Sequence, residues 1–170
     1  MLNLVGCDAA KTFSDLPTFP NLEELTIKQC PLKKFEIVEE MKSLKRLDLR
    51  GTAIRESPSS AIRYLTNLAQ LDLSECKKLK HVGYNIFESR HLQLLNLSLC
   101  INLVTFPTKS EFSTESATLQ DKQYAPLFVD LRACDKSCRN CRISARTRSS
   151  RRERLPKIEK NFKIDRQFGR

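Results

Sequence analysis

A chain of 170 residues has room for about one domain, and 40% hydrophobic residues with a mean hydropathy of −0.42 supply apolar material for one modest core. No stretch approaches the roughly 18 consecutive apolar residues that a membrane-spanning helix needs. The formal charge of +10 sits at one end: residues 1–135 hold 17 basic and 17 acidic side chains, residues 136–170 hold 13 and 3, so any acidic partner concerns the tail alone.

In chain order, Met1-Leu2-Asn3-Leu4-Val5-Gly6-Cys7-Asp8 lacks the basic and long apolar segments of a secretory signal. The expected location is therefore the cytoplasm or the nucleus, where the seven cysteines stay as free thiols. Leu2-x-Leu4-x-x-Cys7 fits the end of a repeating unit whose full form follows: Leu22-x-x-Leu25-x-Ile27-x-x-Cys30, Leu44-x-x-Leu47-x-Leu49-x-x-Thr52, Leu68-x-x-Leu71-x-Leu73-x-x-Cys76 and Leu92-x-x-Leu95-x-Leu97-x-x-Cys100. The first leucines step by 22, 24 and 24 residues, a fixed period of the kind that marks stacked repeats. Met1 falls inside a unit with no N-terminal cap, so the sequence reads as part of a longer protein.

The spacing has a direct physical meaning. The last two apolar positions of each unit alternate as on a β-strand and point to one face. The Cys or Thr that follows marks a turn, where a small buried side chain with a hydrogen to donate reaches a backbone carbonyl of the adjacent turn. Return segments then carry anchors to the far side of the core: Leu32, Phe35, Ile37, Val38 and Met41, then Ile54, Ile62 and Leu65, then Leu79, Val82, Ile86 and Phe87, then Leu103 and Phe106. One unit alone leaves its apolar face open, and stacking closes it. The predicted fold is an α/β leucine-rich-repeat solenoid. A short parallel sheet lines its concave face, return segments are irregular or helical, and the basic C-terminal tail is disordered or partly helical. The predicted organisation is a solenoid of about five repeats over 1–107, a polar linker over 108–125, a degenerate repeat or Cys-containing segment over 126–141, and the basic tail over 142–170.

Stacked parallel strands turn their remaining side chains outward in columns: Glu24, Arg46, Gln70 and Leu94; Thr26, Asp48, Asp72 and Asn96; Lys28, Arg50, Ser74 and Ser98. These twelve residues are the candidate protein-binding surface, since the sheet face of a solenoid is its usual recognition surface. With rungs about 4.8 Å apart, Asp48 and Asp72 are like-charged neighbours that need a cation, and Arg46 and Arg50 are the expected source.

Leu47-Asp48-Leu49-Arg50-Gly51-Thr52-Ala53-Ile54-Arg55-Glu56-Ser57-Pro58-Ser59-Ser60, Tyr64-Leu65-Thr66-Asn67-Leu68 and Leu71-Asp72-Leu73-Ser74-Glu75-Cys76-Lys77-Lys78-Leu79 resemble the leucine-rich-repeat region of plant intracellular disease-resistance receptors of the TIR–NB–LRR class. The resemblance covers about residues 1–107, with a degenerate copy at Val129-Asp130-Leu131-Arg132-Ala133-Cys134. It implies protein binding within a defence-signalling receptor, the ligand being another domain of that receptor or a pathogen-derived protein. Two positions depart from the pattern. Ser57 stands where the family places an apolar residue, and Ala61 reads as an insertion. No G-x-x-x-x-G-K-[ST] phosphate loop is present, so the family's nucleotide chemistry is not carried over.

Other chemistry is thinly represented. Cys134-x3-Cys138-x2-Cys141 lacks the fourth ligand of a structural zinc site, so no metal is expected. His81 and His91 have no nucleophile beside them in sequence, so no catalytic residue, cofactor or enzymatic activity is expected. Arg142 to Arg154 alternates arginine with Ser, Thr and Ala. That composition suits a nucleic-acid or acidic-surface contact, the alternative function, although it has no interleaved aromatics to stack bases. Leu155, Ile158 and Phe162 are spaced as one face of a short amphipathic helix.

Overall fold

The computed structural model describes residues 1–7, 19–37, 41–83, 85–86, 89–107, 127–134 and 161–164. Its elements in chain order are β1 (Leu2–Val5), β2 (Glu24–Lys28), β3 (Arg46–Asp48), the four-residue helix α1 (Ser59–Ile62), β4 (Gln70–Asp72), β5 (Leu94–Asn96), β6 (Leu127–Asp130) and β7 (Asn161–Ile164). The strands form one sheet in the order β1 to β7. Each of the first six lies parallel to the one before it, so the chain advances one rung per coil without crossing over.

Register follows the leucines. Leu2, Leu25, Leu47, Leu71, Leu95 and Val129 are successive partners across the sheet. Leu25, Leu47, Leu71 and Leu95 are all buried, as are Ile27, Leu49, Leu73, Leu97 and Leu131 two residues on. Leu22, Leu44, Leu68 and Leu92 close the inner face on the entry side, and the return anchors Leu32, Phe35, Met41, Ile54, Ile62, Leu65, Leu79, Val82, Ile86, Leu103 and Phe106 close it from behind in one continuous cluster. Ile37 is only half-buried against it, and the anchors Val38 and Phe87 lie outside the described residues. This is a leucine-rich-repeat solenoid.

Every coil leaves the sheet through the same turn. The residue after the third outward position adopts the left-handed backbone: Gly6, Gln29, Gly51, Glu75, Leu99 and Ala133, with φ between 52 and 68°. That conformation disfavours a Cβ, so four of the six turns hold a costly geometry that two glycines take freely. The return is a backbone ladder. Gly6, Gln29, Gly51, Glu75 and Leu99 each donate their N–H to the next coil, to the carbonyls of Lys28, Arg50, Ser74, Ser98 and Arg132 at 2.8–3.0 Å.

The turn cysteines complete this ladder. Cys76 Sγ donates to the Leu49 carbonyl at 3.2 Å, Cys100 Sγ to Leu73 at 3.1 Å and Cys134 Sγ to Leu97 at 2.9 Å, each reaching the coil before. Cys30 Sγ reaches Leu4 at 3.8 Å and its own Lys28 carbonyl at 3.2 Å. Thr52 differs from the expectation. Its hydroxyl donates to the Leu49 carbonyl of its own coil at 2.8 Å, the oxygen that Cys76 also approaches from the next rung, with Thr52 Oγ1 and Cys76 Sγ 3.4 Å apart. Burial raises the pKa of the Cys76 and Cys100 thiols, which keeps the donating hydrogens in place.

The back of the stack holds a second, smaller ladder in which His81 bridges Glu56 and Thr105 in parallel. Ser57 is buried there, and its Oγ accepts the Gly83 N–H at 2.9 Å. A polar residue at an apolar position is thus satisfied by the neighbouring coil. Ala61 is buried within α1 and takes part in the core.

Beyond residue 107 the sheet resumes. Phe128, Val129 and Asp130 register with Leu94, Leu95 and Asn96, and Leu131 and Cys134 enter the common core, so the Val129–Cys134 copy forms a rung of the same stack. β7 then pairs with β6 antiparallel. Phe162 therefore lies in a strand and not on the helical face drawn through Leu155, Ile158 and Phe162: the outer edge of β6 offers unpaired N–H and C=O groups that an extended segment satisfies. The polar segment 108–125 and the Arg142–Arg154 run lie outside the described residues.

Candidate protein-binding face

The three outward columns form as the register requires. Glu24, Arg46, Gln70, Leu94 and Phe128 are successive partners in the first column, and Thr26, Asp48, Asp72, Asn96 and Asp130 in the second. Lys28, Arg50, Ser74 and Ser98 follow at the exit of the strands, and Arg132 continues that row. Phe128, Asp130 and Arg132 were absent from the sequence-derived set. Their signal was the degenerate Val129–Cys134 copy, whose outward positions follow from the same alternation.

The middle column is built into the turns. Asp48, Asp72, Asn96 and Asp130 each turn Oδ1 onto the backbone N–H two residues ahead, on Arg50, Ser74, Ser98 and Arg132, at 2.8–3.1 Å. This side-chain-to-backbone bond closes the strand into the left-handed residue that follows. Four of the five residues in this column from β2 to β6 are Asp or Asn because they hold a turn; Thr26 is the exception.

The charge pairing differs from the expectation. Asp48 takes its cation from Lys28, with Nζ and Oδ2 2.8 Å apart. Arg46 instead pairs with Glu24 at 3.0 Å, across adjacent rungs of its own column. Arg50 turns away to Glu75, to which its Nε donates at 3.1 Å. That bond and the Glu75 charge raise the Arg50 pKa above its ordinary value, with smaller contributions from Asp72 and Asp48. Both arginines are drawn to glutamates, which reach further than the short aspartates already engaged in turns. Asp72 is held by neutral donors, Ser74 N–H at 2.8 Å and Asn96 Nδ2 at 3.0 Å, so the Asp48–Asp72 neighbours share no single cation bridge. At the far end Arg132 folds back onto Asp130 at 2.7 Å.

Exposure divides the candidates. Arg46, Arg50, Gln70 and Leu94 are open to solvent; Glu24, Thr26, Lys28, Asp48, Asp72, Asn96 and Ser98 are partly covered; Ser74 is buried and lends the face only its backbone. Sequence alternation put Ser74 outward, but the structure buries it. Two loop asparagines also escaped sequence reading. Asn67 Nδ2 donates to the Lys42 carbonyl at 2.8 Å and Asn102 Nδ2 to the Lys77 carbonyl at 2.6 Å, each tying one coil to its predecessor.

A shallow groove of 480 Å³ runs along the entry side of the strands beside the Lys45–Glu23 pair and His91. His81 sits on the back, its Nδ1 2.8 Å from Thr105 Oγ1. Among the described residues no three His, Cys, Asp or Glu side chains gather as a metal site would require, and no helix is long and apolar enough to cross a membrane. Cys138 and Cys141 lie outside the described residues.

The chain is 34% identical over 104 residues to the probable disease resistance protein At4g19520, 35% over 107 residues to the disease resistance protein RPS4B and 43% over 63 residues to the disease resistance-like protein DSC1, all from Arabidopsis thaliana. The chain is thus similar, over part of its length, to plant disease-resistance proteins. The three alignments take in 61%, 62% and 37% of this chain but only 6%, 9% and 5% of those proteins, so it spans less than a tenth of the length of the curated relatives it matches. No family model and no solved structure matches it. Within the repeats, the interior leucines, the turn Cys/Thr and the turn-closing Asp/Asn all belong to the fold.

Proposed function

We propose that the chain is a protein-binding module of a plant immune receptor of the TIR–NB–LRR class, acting in defence signalling in the cytoplasm or nucleus, with the sheet face as its recognition surface. One observation carries the reading. Over an inner face of repeated leucines, the first column changes chemistry at each rung, from Glu24 through Arg46 and Gln70 to Leu94, and the third passes from the basic Lys28 and Arg50 to Ser74 and Ser98, on a backbone whose strands are locked in register. A rigid scaffold displaying varied side chains in fixed positions suits recognition of a protein surface. The expected ligand is another domain of the same receptor or a pathogen-derived protein, and the reading needs no catalytic group, cofactor or metal.

The test is a pull-down in which the full chain is co-expressed with the remaining domains of a similar receptor such as RPS4B, and separately with pathogen proteins that such a receptor answers. Arg46→Glu with Arg50→Glu should weaken capture, at some cost in thermal midpoint because the new glutamates face Glu24 and Glu75, and Arg46→Gln with Arg50→Gln should weaken it with the midpoint nearly unchanged, because exposed ion pairs contribute little to folding. Equal capture by wild type and both double variants removes the sheet face as the binding surface.

A further inference from the structure

The face changes character along the stack. Over β2 to β4 its cations are spent internally: Arg46 on Glu24, Lys28 on Asp48 and Arg50 on Glu75. A partner meeting these residues finds pairs already satisfied, and its own charges gain little there. Over β5 and β6 the first column turns apolar. Leu94 and Phe128 are direct register partners, adjacent rungs about 4.8 Å apart. They are 39% and 49% exposed, whereas every other apolar strand residue of β2 to β6 is buried. A leucine and an aromatic side by side on a rigid sheet form the kind of anchor that carries most of the energy of a protein interface.

Asp72 lies diagonally beside this pair, one rung before Leu94 and one column over. Its carboxylate is held by the neutral Ser74 N–H and Asn96 amide, and Arg50, the cation whose field reaches it, is already hydrogen-bonded to Glu75. The centre of the face therefore sets three carboxylates, Asp48, Asp72 and Glu75, against two cations, Lys28 and Arg50, and the excess negative charge lies on the Leu94 side of the apolar pair, while Lys163 of β7 registers with Phe128 on its far side. A partner complementary to this place carries an aliphatic or aromatic side chain next to a Lys or Arg.

We propose that Leu94, Phe128 and Asp72 form the anchoring subsite of the sheet face, and that it takes a protein segment in which an apolar side chain neighbours a basic one. This deepens the reading of the sheet face as the recognition surface and rests on it. The partner's apolar side chain covers Leu94 and Phe128 and removes both from water, while its cation supplies the counter-charge that Asp72 lacks. The other pairs on the face act as a polar rim that fixes orientation.

The experiment uses the full chain and three twelve-residue peptides of equal length. One has a central Phe-Leu flanked by lysines, the second the same centre flanked by glutamates, and the third lysines flanking Ser-Ser. Binding is followed by NMR chemical-shift titration. The apolar–basic peptide is expected to bind tightest, and Leu94→Thr with Phe128→Thr to weaken it about ten-fold, both substitutions being at exposed strand positions where threonine is well tolerated. Asp72→Asn keeps the turn, as Asn96 does one rung on, and should abolish the preference for the lysine over the glutamate peptide without abolishing binding. Equal binding of the Phe-Leu and Ser-Ser peptides, or wild-type affinity in the threonine variant, overturns the subsite. If the receptor pull-down then still responds to Arg46→Glu with Arg50→Glu, the face keeps its role with a different anchor; if that too is unresponsive, both readings fall.

Discussion

Leu94 and Leu95 are neighbours on one strand with opposite fates. Leu95 is fully buried between Leu71 and Val129, and Leu94 stands on the open face between Gln70 and Phe128. The inner side of the sheet repeats the same chemistry at each rung, whereas the outer side repeats only its turn-closing Asp/Asn column. What recurs on both sides belongs to folding, and what varies is left over for recognition. The first way to break this division is to truncate each leucine in turn. Leu95→Ala opens a cavity in a core shared with the coils before and after, at a cost of about 2–5 kcal/mol in urea denaturation. Leu94→Ala should fall within about 0.5 kcal/mol of wild type. In a one-dimensional stack the larger loss severs the contact between two halves, so unfolding of Leu95→Ala is expected to lose its single cooperative step. Comparable losses for the two variants would erase the distinction between the sides.

The turn cysteines sharpen the comparison at the next scale. Cys100 lies between the Leu73 carbonyl of one coil and the Leu97 turn of its own, and its thiol is fully buried. Cys100→Ala leaves that buried carbonyl without its sulfur donor and should cost about 1–3 kcal/mol, read from the same denaturation curves. Cys100→Thr should not restore that donor, since Thr52 in the equivalent position turns its hydroxyl to the carbonyl of its own coil. The pH dependence has a fixed sign. Burial raises the folded-state pKa of Cys76 and Cys100 above the ordinary 9.0, so the folded chain holds these protons more tightly than the unfolded chain. Their contribution is complete below pH 9 and is lost as pH rises beyond it. Stability should therefore decline above pH 9, and both thiols should resist alkylation in the native state at neutral pH. A flat profile between pH 8 and 10 would contradict their burial as neutral donors.

Most of the inner side was legible in the sequence because a period of about 24 residues, two-residue alternation and a small turn residue are each set by backbone geometry. Leu25, Leu47, Leu71 and Leu95 share a row because no other register buries all four. The outer side was legible only as positions. The pairing of Lys28 rather than an arginine with Asp48 depends on side-chain reach and on Glu75, a turn residue outside the strand columns. Phe128 was hidden by the long excursion before β6, which breaks the period although the register resumes. Sequence spacing carries what the backbone enforces, while contacts that side chains choose among near-equal partners need the coordinates.

The middle column offers a finer cut, because its residues lie on the outer side yet serve the fold. Asp72→Ala removes the acceptor for both the Ser74 N–H and the Asn96 Nδ2 and should cost about 1–2 kcal/mol, while Asp72→Asn keeps the Ser74 bond, loses the Asn96 bond and should cost clearly less. Equal effects of the two substitutions would mean that charge, and not turn closure, fixes the residue there.

The smallest effect concerns the pair that looks strongest. Arg50 donates two guanidinium hydrogens to Glu75, but it is open to solvent, so water and salt screen most of the attraction and holding two long side chains still offsets much of the rest. Arg50→Gln and Glu75→Gln, alone and together, should leave the denaturation midpoint unresolved from wild type, and the coupling between them should vanish as salt is raised from 0.05 to about 0.5 M. The same substitutions should nonetheless alter capture of a protein ligand, because freeing Arg50 from Glu75, or removing it, changes what the centre of the face presents beside Asp72. A stability loss as large as that of Cys100→Ala would place Arg50 among the folding residues and leave the outer columns with no charge that is free to recognise anything.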